Sequence, residues 1–249
     1  FDLGNTLIYF DTDWRPVIEA SNHAMLETLD RLGYHLDPQT FLKGFGRRMQ
    51  AHQQIDPDRP ETYSEQTAED ILADTMKELG VSDVPAGHIH EILQSMFRIT
   101  EAHWTPEADA RETLLRLRSQ GYRLGLISNA NYAADAHTLI DRSGVGDLFE
   151  LAIISAEEGV RKPHPALFQK ALDFFQVPAQ RAVMVGDTLV ADILGANRQG
   201  MGSIWITRRV SSDDHQGLPD VEPTAAVHSL AEIPDLLRSL PSTSIQLNG

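Results

Sequence analysis

The chain has 249 residues, 41% of them hydrophobic, enough for a sizeable core and for either one large domain or a core with a smaller appended module. Lys and Arg number 21 against 36 Asp and Glu, and the net charge of −15 has no long basic run to offset it, which argues against nucleic acid and anionic membrane as partners. The absence of cysteine removes disulfides, thiolate metal sites and a Cys nucleophile together, and fits a reducing, cytoplasmic compartment. No apolar run approaches the length of a transmembrane span.

The opening stretch Phe1-Asp2-Leu3-Gly4-Asn5-Thr6-Leu7 reads as the end of a strand and a sharp turn, with a carboxylate beside backbone N–H groups. No apolar run precedes Asp2, so the chain reads as starting inside its first strand. Residues 8–13 leave that strand, and Asp13 to Pro16 start a helix whose face carries Ile18, Met25, Leu26, Leu29 and Leu32 and which Gly33 ends. Phe41, Phe45 and Met49 mark a second helix, with Lys43, Arg47, Gln50 and Gln54 on its other side. Ile71, Leu72, Thr75, Met76 and Leu79 mark a third, and Ile89, Ile92, Leu93, Met96 and Phe97 a fourth. No strand signal interrupts these helices, so residues 14–100 are expected to form an all-helical module.

From Trp104 onwards helix and strand alternate. Strands are expected at residues 122–127, 151–154, 182–185 and 203–207, and helices at residues 133–140, 165–175 and 192–199. Short apolar strands separated by helices imply an α/β fold with a parallel sheet covered on both faces, whose ligands bind at the carboxyl ends of the strands. Leu230 to Leu240 suggest a closing helix, and residues 241–249 a disordered tail. The core is therefore expected over residues 1–13 and 101–240.

Four strand ends deliver different functional groups to one sheet edge: Asp2, then Ser128-Asn129, then Lys162 at the start of the next helix, then Gly186-Asp187 with Asp192. A carboxylate nucleophile, a hydroxyl donor, a fixed cation and a further acidic pair describe a site for a phosphoryl group and a hard divalent ion. At these residues the sequence resembles the haloacid dehalogenase superfamily. The four motifs read Asp2-Leu3-Gly4-Asn5-Thr6-Leu7, Leu126-Ile127-Ser128-Asn129, Lys162-Pro163, and Val185-Gly186-Asp187 followed by Asp192.

The resemblance implies a Rossmann-like, doubly wound core with a helical cap inserted after the first motif. It implies a hydrolase, phosphatase-like, acting on a small phosphorylated metabolite. Asp2 would be the nucleophile, becoming an aspartyl phosphate. Asp2, the Gly4 backbone carbonyl, Asp187 and Asp192 would hold Mg²⁺, while Ser128, Asn129 and Lys162 would bind the phosphate. The sequence departs from most phosphatases of that family at Gly4, where a second Asp usually serves as general acid and base. Asp11, Asp13 and His23 are the nearby candidates to replace it. The same departure leaves open a 2-haloacid dehalogenase, a phosphonate hydrolase using Lys43 as a Schiff base, and a ligand-binding member of weak activity. The stripe Lys43, Arg47, Gln50 and Gln54 is the candidate cap face toward substrate. The sequence does not fix the oligomeric state.

Overall fold

The computed structural model describes residues 1–209 and 221–239. In chain order the elements are β1 (Ile8–Phe10), α1 (Trp14–Arg31), α2 (Pro38–Gln53), α3 (Ala68–Glu78), α4 (Ala86–Glu101), β2 (Trp104–Pro106), α5 (Ala110–Ser119), β3 (Gly125–Ser128) and α6 (Ala133–Arg142). They continue as β4 (Leu151–Ile154), α7 (Ser155–Glu158), α8 (Pro165–Phe175), β5 (Val183–Gly186), a π-helical turn at Leu189–Leu194, α9 (Gly195–Arg198), β6 (Gly202–Ile206), β7 (Ala225–Val227) and α10 (Ile233–Ser239). The expected tail at residues 241–249, and Leu240 before it, lie outside the described residues.

β3 pairs in parallel with β4, and β5 pairs in parallel with β6, which pairs in parallel with β7. The first two residues join these ladders. The Phe1 nitrogen donates to the Gly125 carbonyl at 2.8 Å, the Phe1 carbonyl accepts from Ile127 N–H at 2.9 Å, and Asp2 N–H donates to the Val185 carbonyl at 2.8 Å. That is the slanted pattern of a parallel bridge, and it sets residues 1–2 between β3 and β5. Asp2, Ser128 and Gly186-Asp187 thus end neighbouring lines of the sheet.

The helical stretch has an apolar core of its own, in which Met25, Phe41, Ile71, Met76, Ile92 and Leu93 are all fully buried. Asp13 caps α1 by accepting from Arg15 N–H at 3.0 Å, and Asp37 caps α2 by accepting from Thr40 N–H at 2.9 Å. The face of α1 that packs inward is Val17, Ser21, Met25, Thr28 and Leu29. Ile18, expected on that face, is 42% exposed, because the buried stripe runs one position earlier at the start of the helix.

Three expectations are corrected. Residues 8–10 form a strand, paired antiparallel with Trp104–Pro106, so the two chain segments that flank the helical stretch lie side by side. The strand expected from Tyr122 starts at Gly125, because Tyr122 N–H is used at 3.1 Å by the Leu117 carbonyl to close α5, after Gly121 turns the chain at φ 88°. The helix expected from Asp192 starts earlier and in another form, since Asp192 sits inside the π-helical turn with its N–H on the Thr188 carbonyl at 2.9 Å.

Candidate active site

Beyond the sheet edge lies a cavity of about 320 Å³ lined by Asp2, Gly4, Ser128, Asn129, Lys162, Asp187 and Asp192, the seven positions singled out from sequence. The remaining wall is partly apolar and includes Trp104, Tyr132 and Leu139.

Lys162 organises the polar half. Its ammonium is buried and donates to Asp2 Oδ1 at 2.6 Å, to Asp192 Oδ1 at 2.7 Å and to the Ile127 carbonyl at 2.7 Å, which uses all three of its hydrogens. Local sequence explains why it reaches there. Gly159, at φ 69°, ends α7; Arg161 N–H is fixed on the Tyr63 carbonyl at 2.9 Å; His164 then caps α8 through Ala166 N–H at 3.2 Å, with Pro165 as the first helical residue. Between these anchors Asn129 clamps the Lys162 backbone in both directions. Its Oδ1 accepts from Lys162 N–H at 2.7 Å and its Nδ2 donates to the Lys162 carbonyl at 3.0 Å. This positioning role of the Asn129 side chain was not read from sequence, since a strand-end Asn gives no sign of a partner 33 residues away.

The acidic half is equally constrained. Asp192 Oδ2 accepts from Thr188 N–H at 3.0 Å, and Thr6 Oγ1 donates to Asp187 Oδ1 at 3.4 Å, tying the first motif to the last. Gly186 makes room: a Cβ placed there would lie 2.3 Å from Asp192 Cγ and Oδ2, far inside contact. Gly186→Ala is therefore expected to push Asp192 off Lys162 and to cost about 1–3 kcal/mol through overpacking. Thermal unfolding of the variant against wild type measures this, and an unchanged midpoint would contradict it. Gly195 plays the same part beneath, since a Cβ there would meet the Phe168 ring at 2.5 Å.

Carboxylate oxygens of Asp2, Asp187 and Asp192 lie within 4.8 Å of one another. Lys162 balances only part of that charge. Burial first, and then the charges of Asp2 and Asp192, push the Asp187 carboxyl up to about 8. Burial likewise raises Asp192 despite the opposing pull of Lys162. For Lys162 burial works against its charge, but the carboxylates of Asp192 and Asp2 outweigh it and hold the ammonium above its ordinary value. A set of buried oxygen donors with an excess of negative charge is what a hard divalent cation complements. The residues present fit such an ion.

Of the candidates to replace an acid at Gly4, none reaches the cavity. Asp11 is held by Thr105 Oγ1 at 3.1 Å and pairs with His103, Asp13 is spent as the α1 cap, and His23 is largely exposed and pairs with Glu27. Lys43, Arg47 and Gln50 of α2 and Gln54 just after it are exposed and none lines the cavity, so the expected substrate-facing stripe is corrected to a solvent-exposed one. The cavity does contain an acidic residue that sequence reading passed over, Asp135. In the first turn of a helix an Asp reads as ordinary favourable end chemistry, so nothing local set it apart.

A family model described as haloacid dehalogenase-like hydrolase matches residues 1–200. The chain belongs to the haloacid dehalogenase-like hydrolases. Over 96 residues it is 50% identical to a glyceraldehyde 3-phosphate phosphatase of Pyrococcus abyssi (strain GE5 / Orsay), a match that spans 39% of this chain and 40% of that relative. It is 27% identical over 243 residues to a ribulose-1,5-bisphosphate 5-phosphatase of Halopiger xanaduensis, covering 95% of this chain and 97% of the relative. The crystal structure of a 2-haloacid dehalogenase from Pseudomonas syringae pv. Tomato DC3000 superposes with a TM-score of 0.62 at 26% identity, covering 96% of both chains. Within this family the fold is α/β, with a Rossmann-like parallel sheet and a helical insertion. No helix among the described residues is long and apolar enough to cross a membrane.

Proposed function

We propose that this hydrolase is a Mg²⁺-dependent phosphatase of small phosphorylated metabolites, acting through an aspartyl phosphate on Asp2. The observation that carries the reading is the junction at Lys162, where one buried ammonium is shared by the carboxylates of Asp2 and Asp192 while Asp187 converges on the same point. The phosphatase names of relatives support it. Asp2, the Gly4 carbonyl, Asp187 and Asp192 would hold Mg²⁺, which supplies charge neutralisation for an approaching phosphate.

The residues of the chain do the rest. Lys162 fixes one Asp2 oxygen, leaving the other free for in-line attack on phosphorus. Ser128 Oγ and the Asn129 N–H are donors for the phosphoryl oxygens, and the Lys162 charge offsets the repulsion between phosphate and Asp2. We read residues 14–100, the stretch of α1 to α4, as the cap that excludes water and selects the leaving group, with the core formed by the flanking segments. Tyr132 supports this reading, because it lines the cavity and also packs in the apolar cluster of the helices. The lack of cysteine supports work in the cytoplasm.

Phosphate release from a panel of alkyl esters and acetyl phosphate, with Mg²⁺ and with EDTA, tests the reading. Metal-dependent release is expected, and none from any substrate would sink it. Gly4, together with the likeness to a dehalogenase, favours a second reading as a 2-haloacid dehalogenase, for which halide release is the assay. The intact Asp187 and Asp192 speak against that reading.

Gly4 is open to repair. Its backbone is not in the left-handed region, and a Cβ there would meet only the Trp104 ring, at 3.6 Å, an ordinary contact. Gly4→Asp is expected to accelerate alkyl phosphates by up to ~10²-fold and activated acyl phosphates little, since only the former need a proton for the leaving group. Equal effects on both would contradict this.

A further inference from the structure

A phosphatase with glycine at the acid position must find its proton elsewhere, and the cavity wall holds one acidic side chain beyond the cation-binding set and Lys162. Asp135, in the first turn of α6, lines the same cavity as Asp2, Gly4 and Trp104. Its Oδ1 is buried without a donor. Glu101, the last residue of α4, is the neighbouring carboxyl group, and its negative charge favours the protonated form of Asp135. Burial first, and then the charge and hydrogen bond of Glu101, push Asp135 up to about 8.

The neighbours from each packed element reinforce this. Glu69 of α3 and Glu101 join Asp135 in raising the Tyr132 hydroxyl, after burial, to about 12. That hydroxyl is bonded to His90 Nδ1 of α4 at 2.8 Å. Arg142 of α6 is half-exposed and stays 3.9 Å from Glu101 Oε2. Negative groups therefore dominate around Asp135, and a proton bound there at neutral pH is kept until something more basic arrives.

We propose that Asp135, paired with Glu101, is the general acid that protonates the leaving group, the task Gly4 cannot perform. As an Asp2 oxygen bonds to phosphorus and the bond from phosphorus to the leaving oxygen breaks, the Asp135 proton passes to that oxygen and the alcohol departs. Water then attacks the phosphorus of the aspartyl phosphate and leaves with both its protons as dihydrogen phosphate, while the Asp135 carboxylate takes its proton back from solvent. This restores the acid and the free Asp2 carboxylate and releases phosphate. This assignment rests on the phosphatase reading.

The test compares wild type, Asp135→Asn and Glu101→Gln on a glycerol phosphate ester and on acetyl phosphate. Asp135→Asn should lower kcat on the alkyl ester by ~10²-fold or more and on acetyl phosphate by less than ~3-fold, because the acyl leaving group needs no acid. Glu101→Gln, by removing a negative neighbour, should move the alkaline limb of the alkyl-ester profile to lower pH. An equal loss on both substrates would assign Asp135 a structural role, and an unchanged alkyl rate would assign it none; either overturns the proposal while leaving the phosphatase standing. If wild type releases phosphate from neither substrate, the phosphatase reading falls and this assignment with it. Thermal unfolding gives an independent readout. A carboxyl raised in the folded state stabilises most at low pH, and that stability fades as pH rises towards about 8. Asp135→Asn should flatten this decline, and an unchanged pH dependence would count against a bound proton.

Discussion

Asp2→Asn should lower turnover of phosphate esters by at least ~10⁴-fold while the protein stays folded, because the substitution removes a nucleophile and replaces it with a group of the same shape. Asp2 lies at a polar junction, not in the apolar core, and its backbone bond to Val185 is untouched by the change. An Asn side chain can still accept from Lys162 at that position, so the positioning of the lysine survives. Steady-state kinetics with far-UV circular dichroism checks both halves. A variant that keeps most of its activity would remove Asp2 from the mechanism.

Lys162→Met carries the largest expected stability effect. It keeps the volume of a buried chain but withdraws the cation shared by Asp2 and Asp192, leaving those carboxylates and Asp187 to repel one another. Removing one partner of a buried ionic cluster costs about 3–5 kcal/mol. The pH dependence follows. Without the lysine the Asp187 and Asp192 carboxyls are pushed up further, so the deficit is largest at neutral and alkaline pH and shrinks as falling pH protonates them. Added divalent cation should recover part of the loss, since it supplies the missing positive charge. Chemical denaturation at pH 5 and pH 8, with and without Mg²⁺, measures this, and a deficit independent of both would contradict the electrostatic account.

The parts of the fold that sequence made legible are those decided by local pattern. Pro165 with His164 before it started α8 where expected, and the apolar run at Leu151–Ile154 was a strand to the residue. The strand Ile8–Phe10 was missed because its partner, Trp104–Pro106, lies across the whole helical stretch, and neither piece has enough alternation to mark itself. The π-helical turn at Asp192 was hidden for a related reason, since apolar spacing does not tell a widened turn from an ordinary helix start.

The candidate site divides in the same way. Residues at strand ends could be gathered into one site, because a parallel sheet delivers its carboxyl edges to one place. What could not be read was which side chains serve the backbone of others, as Asn129 does for Lys162, and which acidic residue faces inward. Asp11, Asp13 and His23 were near Asp2 in sequence and lie outside the cavity, whereas Asp135 is distant in sequence and lines it. Proximity along the chain was the wrong guide for a group supplied by packing.

The most direct measurement is acid quenching during turnover of acetyl phosphate with Mg²⁺, followed by mass analysis of the peptide that contains Asp2. The account predicts that this peptide gains the mass of one phosphoryl group and that Asp2→Asn abolishes the gain. Steady release of phosphate with the label absent from Asp2, or carried by another residue, would contradict it.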